Sequence, residues 1–339
     1  MPFHKIGLSG FTDLGQFPGM QTDDLRKAIY EHLPGLDEIL DSEKLPVHER
    51  TFRAAHLFVD LAVEAPEAVK QELLGSITFR EGILPIVSDW YWAKYGSLCR
   101  DQRSRELSGI LSAYAQPLLI QIPQTLSRVE VEGETLWLTL PDSLREDESI
   151  RKLTGGLINL AALPPAASKA VQAEAALVVG ISRSINLNLM SKEGLDEETF
   201  SLGQTIWPHF EKAVRDLLLL TSEGAAAACW DLHLAVEKAF KVLIRSKQPG
   251  AAPFGHDLNA LQKQALRCGA VIDSALVKRL PKEKMAIQFR YAEALVSTAT
   301  AIDHYKTALE LVDQITREIP RKLKLNNTSF LIKMAPWAK

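Results

Sequence analysis

The sequence is poor in cysteine, and its three cysteines form no motif. Cys99, Cys229 and Cys268 lie far apart, and none belongs to a CxxC pair or to a Cys/His spacing typical of zinc sites. We therefore predict reduced, mostly buried thiols rather than a disulfide framework. Clusters of His, Asp and Glu with metal-ligand spacing are also missing from the sequence, which predicts neither a metal nor another cofactor.

Long apolar runs and an excess of one charge are missing as well. The most apolar stretch, 175–181, is too short to span a bilayer, and the first residues contain no continuous apolar segment like that of a secretion signal. Lys and Arg number 39 against 42 Asp and Glu, a net charge of −3. Duplex-binding proteins usually carry a broad basic field. We expect a soluble, cytoplasmic protein without membrane contact, in which nucleic acid binds only at a local basic patch.

The 339 residues are 46% hydrophobic and 24% charged, enough for buried cores and typical of two domains. Apolar residues recur at three- and four-residue steps through most of the chain, which predicts a mainly α fold. Around Gly133, apolar and polar residues alternate instead, which predicts one β-hairpin. We predict an N-terminal helical domain at 1–195 with this hairpin near 127–140, a linker at 196–204, a helical bundle at 205–319 and a basic arm at 320–339.

The predicted bundle contains an ordered series of segments. They are "AAAACWDLHLAVEKAFKVLI", "FGHDL", "FRYAE" and a final amphipathic helix that begins near Ser297. In this order and spacing, residues 205–318 resemble the HEPN family, the higher eukaryote and prokaryote nucleotide-binding domain. The resemblance implies an antiparallel up-and-down bundle that forms a homodimer through its long helices. It further implies a nucleotide or RNA ligand and a defence or toxin–antitoxin context.

The sequence departs from that family at one important point. Ribonuclease members carry an Arg followed, after four to six residues, by a His near the start of the last long helix. Arg290 has Leu295, Val296 and Ser297 at those offsets. Because cleavage of RNA requires a group that removes the 2′-OH proton, the departure favours a non-catalytic module. Arg290 with His256 or His233, brought together across the bundle or a dimer, remains the candidate group for a divergent catalytic site.

The first candidate nucleotide- or RNA-binding residues lie on one predicted helix. His233, Glu237 and Lys241 follow one another at four-residue steps and therefore share a helix face. Such a face is typical of a polar groove in which Lys241 contacts a phosphate, or of a surface that faces solvent.

The remaining candidates lie at predicted helix starts. His256 and Asp257 either cap a helix and bridge to its neighbour, or hold a phosphate with the free backbone amides. Arg290 and Tyr291 are expected to begin the last long helix. There Arg290 either binds a phosphate or pairs with Asp257 or Glu237 in a structural network.

Three functions therefore stay open at the level of sequence. The first is a non-catalytic nucleotide- or RNA-binding and dimerisation module fused to an N-terminal helical domain. The second is a divergent ribonuclease, as a toxin or defence nuclease. The third is a structural protein whose N-terminal domain binds a protein partner.

Overall fold

The computed structural model describes residues 6–7, 22–99, 106–113, 116–190, 194–251, 253 and 255–333. The chain forms two compact units. Unit 1 comprises Met1–Ser104, Arg128–Trp137 and Leu331–Lys339, and unit 2 comprises Arg105–Ser127 and Leu138–Phe330. The described residues are mainly helical with small sheets, which confirms the predicted fold class at this level.

Within Met1–Ser104, the described residues of unit 1 form two short strands and four α-helices, together with a π-helix (Phe79–Ile83) and a 3-10 helix (Gly96–Cys99). In chain order the strands and α-helices are β1 (Ile6–Gly7), α1 (Thr22–Ser42), α2 (Val47–Ala62), β2 (Val63–Glu64), α3 (Glu67–Gly75) and α4 (Leu84–Tyr95). Strands β1 and β2 pair in parallel. Apolar side chains of α1, α2 and α4 form the core of this unit, among them Ile29, Leu33, Phe58, Val59 and Tyr91.

A buried carboxylate joins three helices of unit 1. Asp37 on α1 accepts hydrogen bonds from Arg50 on α2 and from Lys94 and Tyr95 on α4. Although burial favours the neutral acid, these hydrogen bonds lower the pKa of Asp37. The ionised carboxylate therefore stabilises the packing of α1 against its neighbours.

Two successive hairpins follow in the chain, where the sequence predicted one. Strands β3 (Glu106–Ala113) and β4 (Gln116–Pro123) pair antiparallel, and β5 (Leu126–Val131) and β6 (Thr135–Leu140) follow on either side of Gly133, which has a φ of 70°. The second pair confirms the predicted hairpin. The first was missed because Ile110 interrupts the alternation in β3, and because apolar residues follow one another from Pro117 to Ile120 in β4, a run that periodicity does not distinguish from a helix.

Nine helices and a strand complete the described chain. They are α5 (Ile150–Leu153), α6 (Pro165–Leu189), α7 (Glu197–Gln204), α8 (Ile206–Leu217), α9 (Ser222–Lys247), α10 (Leu258–Arg267), α11 (Ser274–Arg279), α12 (Glu283–Arg290), α13 (Thr298–Arg317) and β7 (Thr328–Lys333). Strand β7 joins the second hairpin in a sheet of order β5-β6-β7.

Helix α9 is the central element of unit 2. Helices α8, α10, α12 and α13 all pack against it, which is why most of its side chains are buried. Its start is fixed by Thr221, whose hydroxyl accepts a hydrogen bond from the amide of Gly224. A Cβ at Gly224 would lie 2.5 Å from the carbonyl oxygen of Asp216, so only glycine fits there.

Three predicted boundaries differ from the structure. Most of the predicted linker at 196–204 forms α7, a helix that Asp196 caps. This helix lies inside unit 2, so the division into units does not follow the predicted domain boundary. Part of the predicted basic arm is strand β7. Arg290 does not begin the last long helix but ends α12; the chain then turns, with Ala292 at a φ of 54°, before Ser297 caps α13.

Candidate functional site

The candidate site lies on one face of α9. The start of α10 and the end of α12 pack against this face. Trp230, His233, Glu237 and Lys241 follow one another at steps of three and four residues, so they share this face. His256 precedes α10, and Arg290 ends α12. The fold thus brings predicted residues from α9, from the loop before α10 and from the end of α12 close together.

The carboxylate of Glu237 contacts the side chains of both Lys241 and His256. One carboxylate oxygen, Oε2, lies 2.7 Å from Nδ1 of His256, and the other, Oε1, accepts a hydrogen bond from Nζ of Lys241 at 2.6 Å. Glu237 is only 4% exposed and His233 only 1%. The expectation that this helix face is solvated is therefore wrong for these two residues, because α10 and its preceding loop cover them. We call Glu237, Lys241 and His256 the charged cluster.

His233 links the charged cluster to an aromatic group. Its Nε2 lies 2.9 Å from the main-chain carbonyl oxygen of His256, and its ring is stacked on Trp230 with an angle of 8° and centroids 6.2 Å apart. Burial lowers the pKa of His233, although the hydrogen bond to the carbonyl and the nearby Glu237 oppose that shift. A carbonyl oxygen only accepts hydrogen bonds, so Nε2 of His233 carries a hydrogen and donates it to the His256 carbonyl.

Arg290 packs on aromatic rings. Its guanidinium carbon lies 5.2 Å from the centroid of Trp230 and 5.3 Å from that of Tyr291. These distances fit cation–π contacts. Tyr291 is 60% exposed, so its ring is open to a ligand. We call Trp230, Arg290 and Tyr291 the aromatic face.

The carboxylates that were considered as partners of Arg290 make other contacts. Asp257 caps α10, its Oδ1 accepting a hydrogen bond from the amide of Asn259 at 2.9 Å, and Glu237 contacts Lys241 and His256. The side chain of Asp257 thus caps its own helix. Trp230 was not predicted as a site residue, although its position three residues before His233 places both on one helix face.

A pocket of about 110 Å³ lies beside Asp257, the N-cap residue of α10. It lies where the starts of α10 and α12 meet and is lined by Asp257, Leu258, Asn259, Val277, Lys278, Leu280, Pro281, Lys282 and Glu283. Its lining therefore contains two lysines and two acidic residues.

The described residues contain no group of three or more His, Cys, Asp or Glu side chains arranged to hold a metal ion. No described helix has both the length and the apolar character needed to cross a membrane. Protein-family models, curated proteins and solved structures were compared with this chain, and none matches it. Function is therefore inferred from the side chains themselves.

Proposed function

We propose that unit 2 binds a nucleotide or an unpaired stretch of RNA, with a base on the aromatic face and a phosphate at the charged cluster. The observation that carries this proposal is the position of Arg290 over Trp230 and beside the exposed ring of Tyr291. Exposed aromatic rings and guanidinium planes are the surfaces on which proteins stack unpaired bases.

The charged cluster supports the same function. Lys241 and the half-exposed His256 supply hydrogen-bond donors for a phosphate. His233 links the aromatic face to the charged cluster, because its ring stacks on Trp230 and its Nε2 contacts the carbonyl oxygen of His256. A nucleotide carries a base and a phosphate on one small molecule, and it therefore fits two neighbouring surfaces of this kind. The resemblance to the HEPN family implies the same class of ligand.

Binding is tested by fluorescence anisotropy with a labelled single-stranded RNA and by calorimetry with AMP. Tyr291→Ala and Arg290→Ala should each weaken binding, because loss of a stacking partner costs about 1–3 kcal/mol, roughly 5- to 150-fold in affinity. Arg267→Ala is the matched control, since Arg267 is an exposed arginine in the last turn of α10. The proposal fails if wild-type protein binds neither probe, or if all three variants bind equally well.

A divergent ribonuclease is a second candidate, favoured by the geometry of His256. Its Nδ1 contacts the buried Glu237, and a carboxylate that orients an imidazole in this way is typical of a general base. In this reaction His256 takes the 2′-OH proton, the 2′-oxygen attacks the phosphorus, and the 5′-oxygen leaves with a proton from water. The products are a 2′,3′-cyclic phosphate and a 5′-OH. Cleavage that is lost in His256→Ala would support this activity, and RNA that stays intact in a long incubation would exclude it.

The oligomeric and partner assignments stay predictions. The family resemblance predicts a homodimer through unit 2, which light scattering at micromolar concentration would show as a doubled molar mass. A protein partner of the N-terminal helices belongs to the purely structural alternative. That alternative gains support if the protein self-associates while neither RNA nor AMP binds.

A further inference from the structure

We propose that β5 pairs antiparallel with β5 of a second copy of this chain, so that the sheet continues from one protomer into the other. The proposal does not depend on the binding of a ligand by unit 2. Strand β5 lies at one end of the sheet order β5-β6-β7. Among the residues that the structure describes, no further strand pairs with its outer edge, so the backbone N–H and C=O groups of that edge are available to another chain.

The side chains of β5 are open to solvent. Every residue from Ser127 to Val131 is exposed, and the exposed fractions of Val129 and Val131 are 62% and 46%. These two valines lie two positions apart and therefore on the same face of the sheet. Valine stabilises a strand by packing against a cross-strand neighbour, so a second strand beside β5 would remove apolar surface from water.

The charges of β5 are self-complementary about Val129. Arg128 precedes this residue and Glu130 follows it. Residues that oppose each other in an antiparallel pair have their side chains on the same face, so a two-fold axis perpendicular to the sheet passes through one residue of the strand. With the axis at Val129, Arg128 of each copy lies opposite the partner's Glu130, and Val129 lies opposite the partner's Val129.

The neighbouring registers are unfavourable. An axis at Arg128 places two arginines opposite each other, and an axis at Glu130 places two glutamates opposite each other. Like charges in opposed positions destabilise a strand pair, whereas opposite charges stabilise it. Charged residues at a sheet edge generally discourage pairing, but on β5 they do so only in the registers next to the one centred on Val129.

Both charged side chains can reach a partner. The side chain of Arg128 is 79% exposed, and its Nη2 lies 3.6 Å from Oε2 of Glu130 in the same chain, which is too far for a hydrogen bond. The side chain of Glu130 is 47% exposed, and its Oε2 accepts a hydrogen bond from Nε1 of Trp137 at 2.9 Å. A carboxylate has about four acceptor positions, so Glu130 can also accept from an arginine of the second copy.

The proposed contact joins one strand from each copy and therefore buries a small area. Interfaces at the low end of the size range belong to weak complexes, so we expect a dimer that dissociates on dilution. Sedimentation velocity of the full-length chain over a concentration series measures this equilibrium. A wild-type chain that stays monomeric throughout the series would overturn the proposal.

Reversal of single charges is the main test. Arg128→Glu and Glu130→Arg each place like charges opposite each other, and each should weaken self-association by roughly 10- to 100-fold. The double variant Arg128→Glu/Glu130→Arg should self-associate like wild type. An equimolar mixture of the two single variants should also associate, because every opposed pair then joins an arginine to a glutamate, and this association shows that both variants are folded. Arg151→Glu is the matched control, since Arg151 is an exposed arginine outside the sheet.

A cysteine at the proposed axis locates the contact. Opposed Cα atoms in an antiparallel pair lie about 4.5–5.5 Å apart, within the range of a disulfide, so Val129→Cys should cross-link two copies in the presence of a mild oxidant. Ser127→Cys is the control, because four strand positions, about 14 Å, separate Ser127 from its own copy in this register. Peptide mapping of the cross-linked product identifies the bonded cysteines.

Three results would overturn the pairing of β5. They are single charge variants that self-associate as strongly as wild type, a folded double variant that does not regain association, and a Val129→Cys variant that cross-links no faster than Ser127→Cys. A dimer that persists unchanged in all these variants lies elsewhere, as the bundle contact predicted from the HEPN resemblance does. None of these results bears on the binding of AMP or RNA, so the proposed function is tested separately.

Discussion

Arg183 on α6 makes the most extensive buried ionic contact of unit 2 among the described residues, and replacing it should be costly. Its side chain is 1% exposed, and its Nη atoms donate to the two oxygens of Glu148 at 2.6 and 2.7 Å. It also donates to the carbonyl oxygens of Pro123, at 3.0 and 3.1 Å, and of Ser143, at 2.6 Å. One guanidinium therefore ties α6 to the end of β4 and to the loop before α5.

Arg183→Met should lower the free energy of unfolding of unit 2 by about 3–5 kcal/mol. The methionine fills similar volume, but Glu148, whose side chain is 7% exposed, is left as a buried charge without its partner, and two carbonyl oxygens lose their donors. Arg183→Lys should lie between wild type and Arg183→Met, because an ammonium group cannot match the fork of five donors.

Urea unfolding followed by circular dichroism measures these differences. Arg145→Met is the matched control: the pair of Arg145 with Asp147 is exposed at 46% and 72%, so its loss should cost less than about 1 kcal/mol. The double variant with Glu148→Met should recover part of the loss, since it removes the unpaired charge. A cost for Arg183→Met no greater than that for Arg145→Met would refute this account of the ion pair.

Three further outcomes are expected. Gly109→Ala should destabilise unit 2 by about 1–3 kcal/mol in urea unfolding, because the added Cβ would lie 3.0 Å from Cγ1 of Val178. Burial raises the pKa of Asp231, but its hydrogen bonds with His209 and Lys212 outweigh burial and lower that pKa. The stability that ionised Asp231 contributes is therefore fully present above about pH 4 and is lost as the pH falls through the lowered pKa. The difference in melting temperature between wild type and Asp231→Asn should therefore become smaller at acidic pH. Burial raises the pKa of Cys229 to about 12, so Cys229 should react with a thiol reagent far more slowly in the folded protein than in the unfolded protein.

Helix positions in unit 2 were largely predictable because their signals are local. Thr221 and Ser297 cap α9 and α13, and Gly269 follows α10 as a helix-ending glycine with a φ of 76°. The hairpin around Gly133 also follows from local alternation. Strands β3 and β4 were not predictable in this way, because whether an apolar run is a buried strand or a buried helix depends on what packs against it.

Within the candidate site, contacts inside one helix could be predicted from the sequence, whereas contacts between segments could not. A four-residue step places Glu237 and Lys241 on one helix face, and their hydrogen bond follows from that spacing. The contact between Glu237 and His256 depends on where the loop before α10 returns to α9, which no local pattern specifies. The position of Arg290 depends on the turn that ends α12 at Tyr291, and the continuous apolar pattern on both sides of this turn conceals it.

The third strand of the β5-β6-β7 sheet has a consequence for synthesis of the chain. Thr139 on β6 and Ser329 on β7 form a hydrogen bond across 190 positions, and the amide of Asn327 donates to the carbonyl of Leu140. During translation, β6 therefore emerges long before its second neighbour and presents an open strand edge while α6 to α13 are made. At about 5–20 residues per second, this interval lasts roughly 10–40 seconds. A nascent chain stalled before residue 328 holds only a two-stranded hairpin, which is marginally stable by itself, and is exposed to strand pairing with other chains.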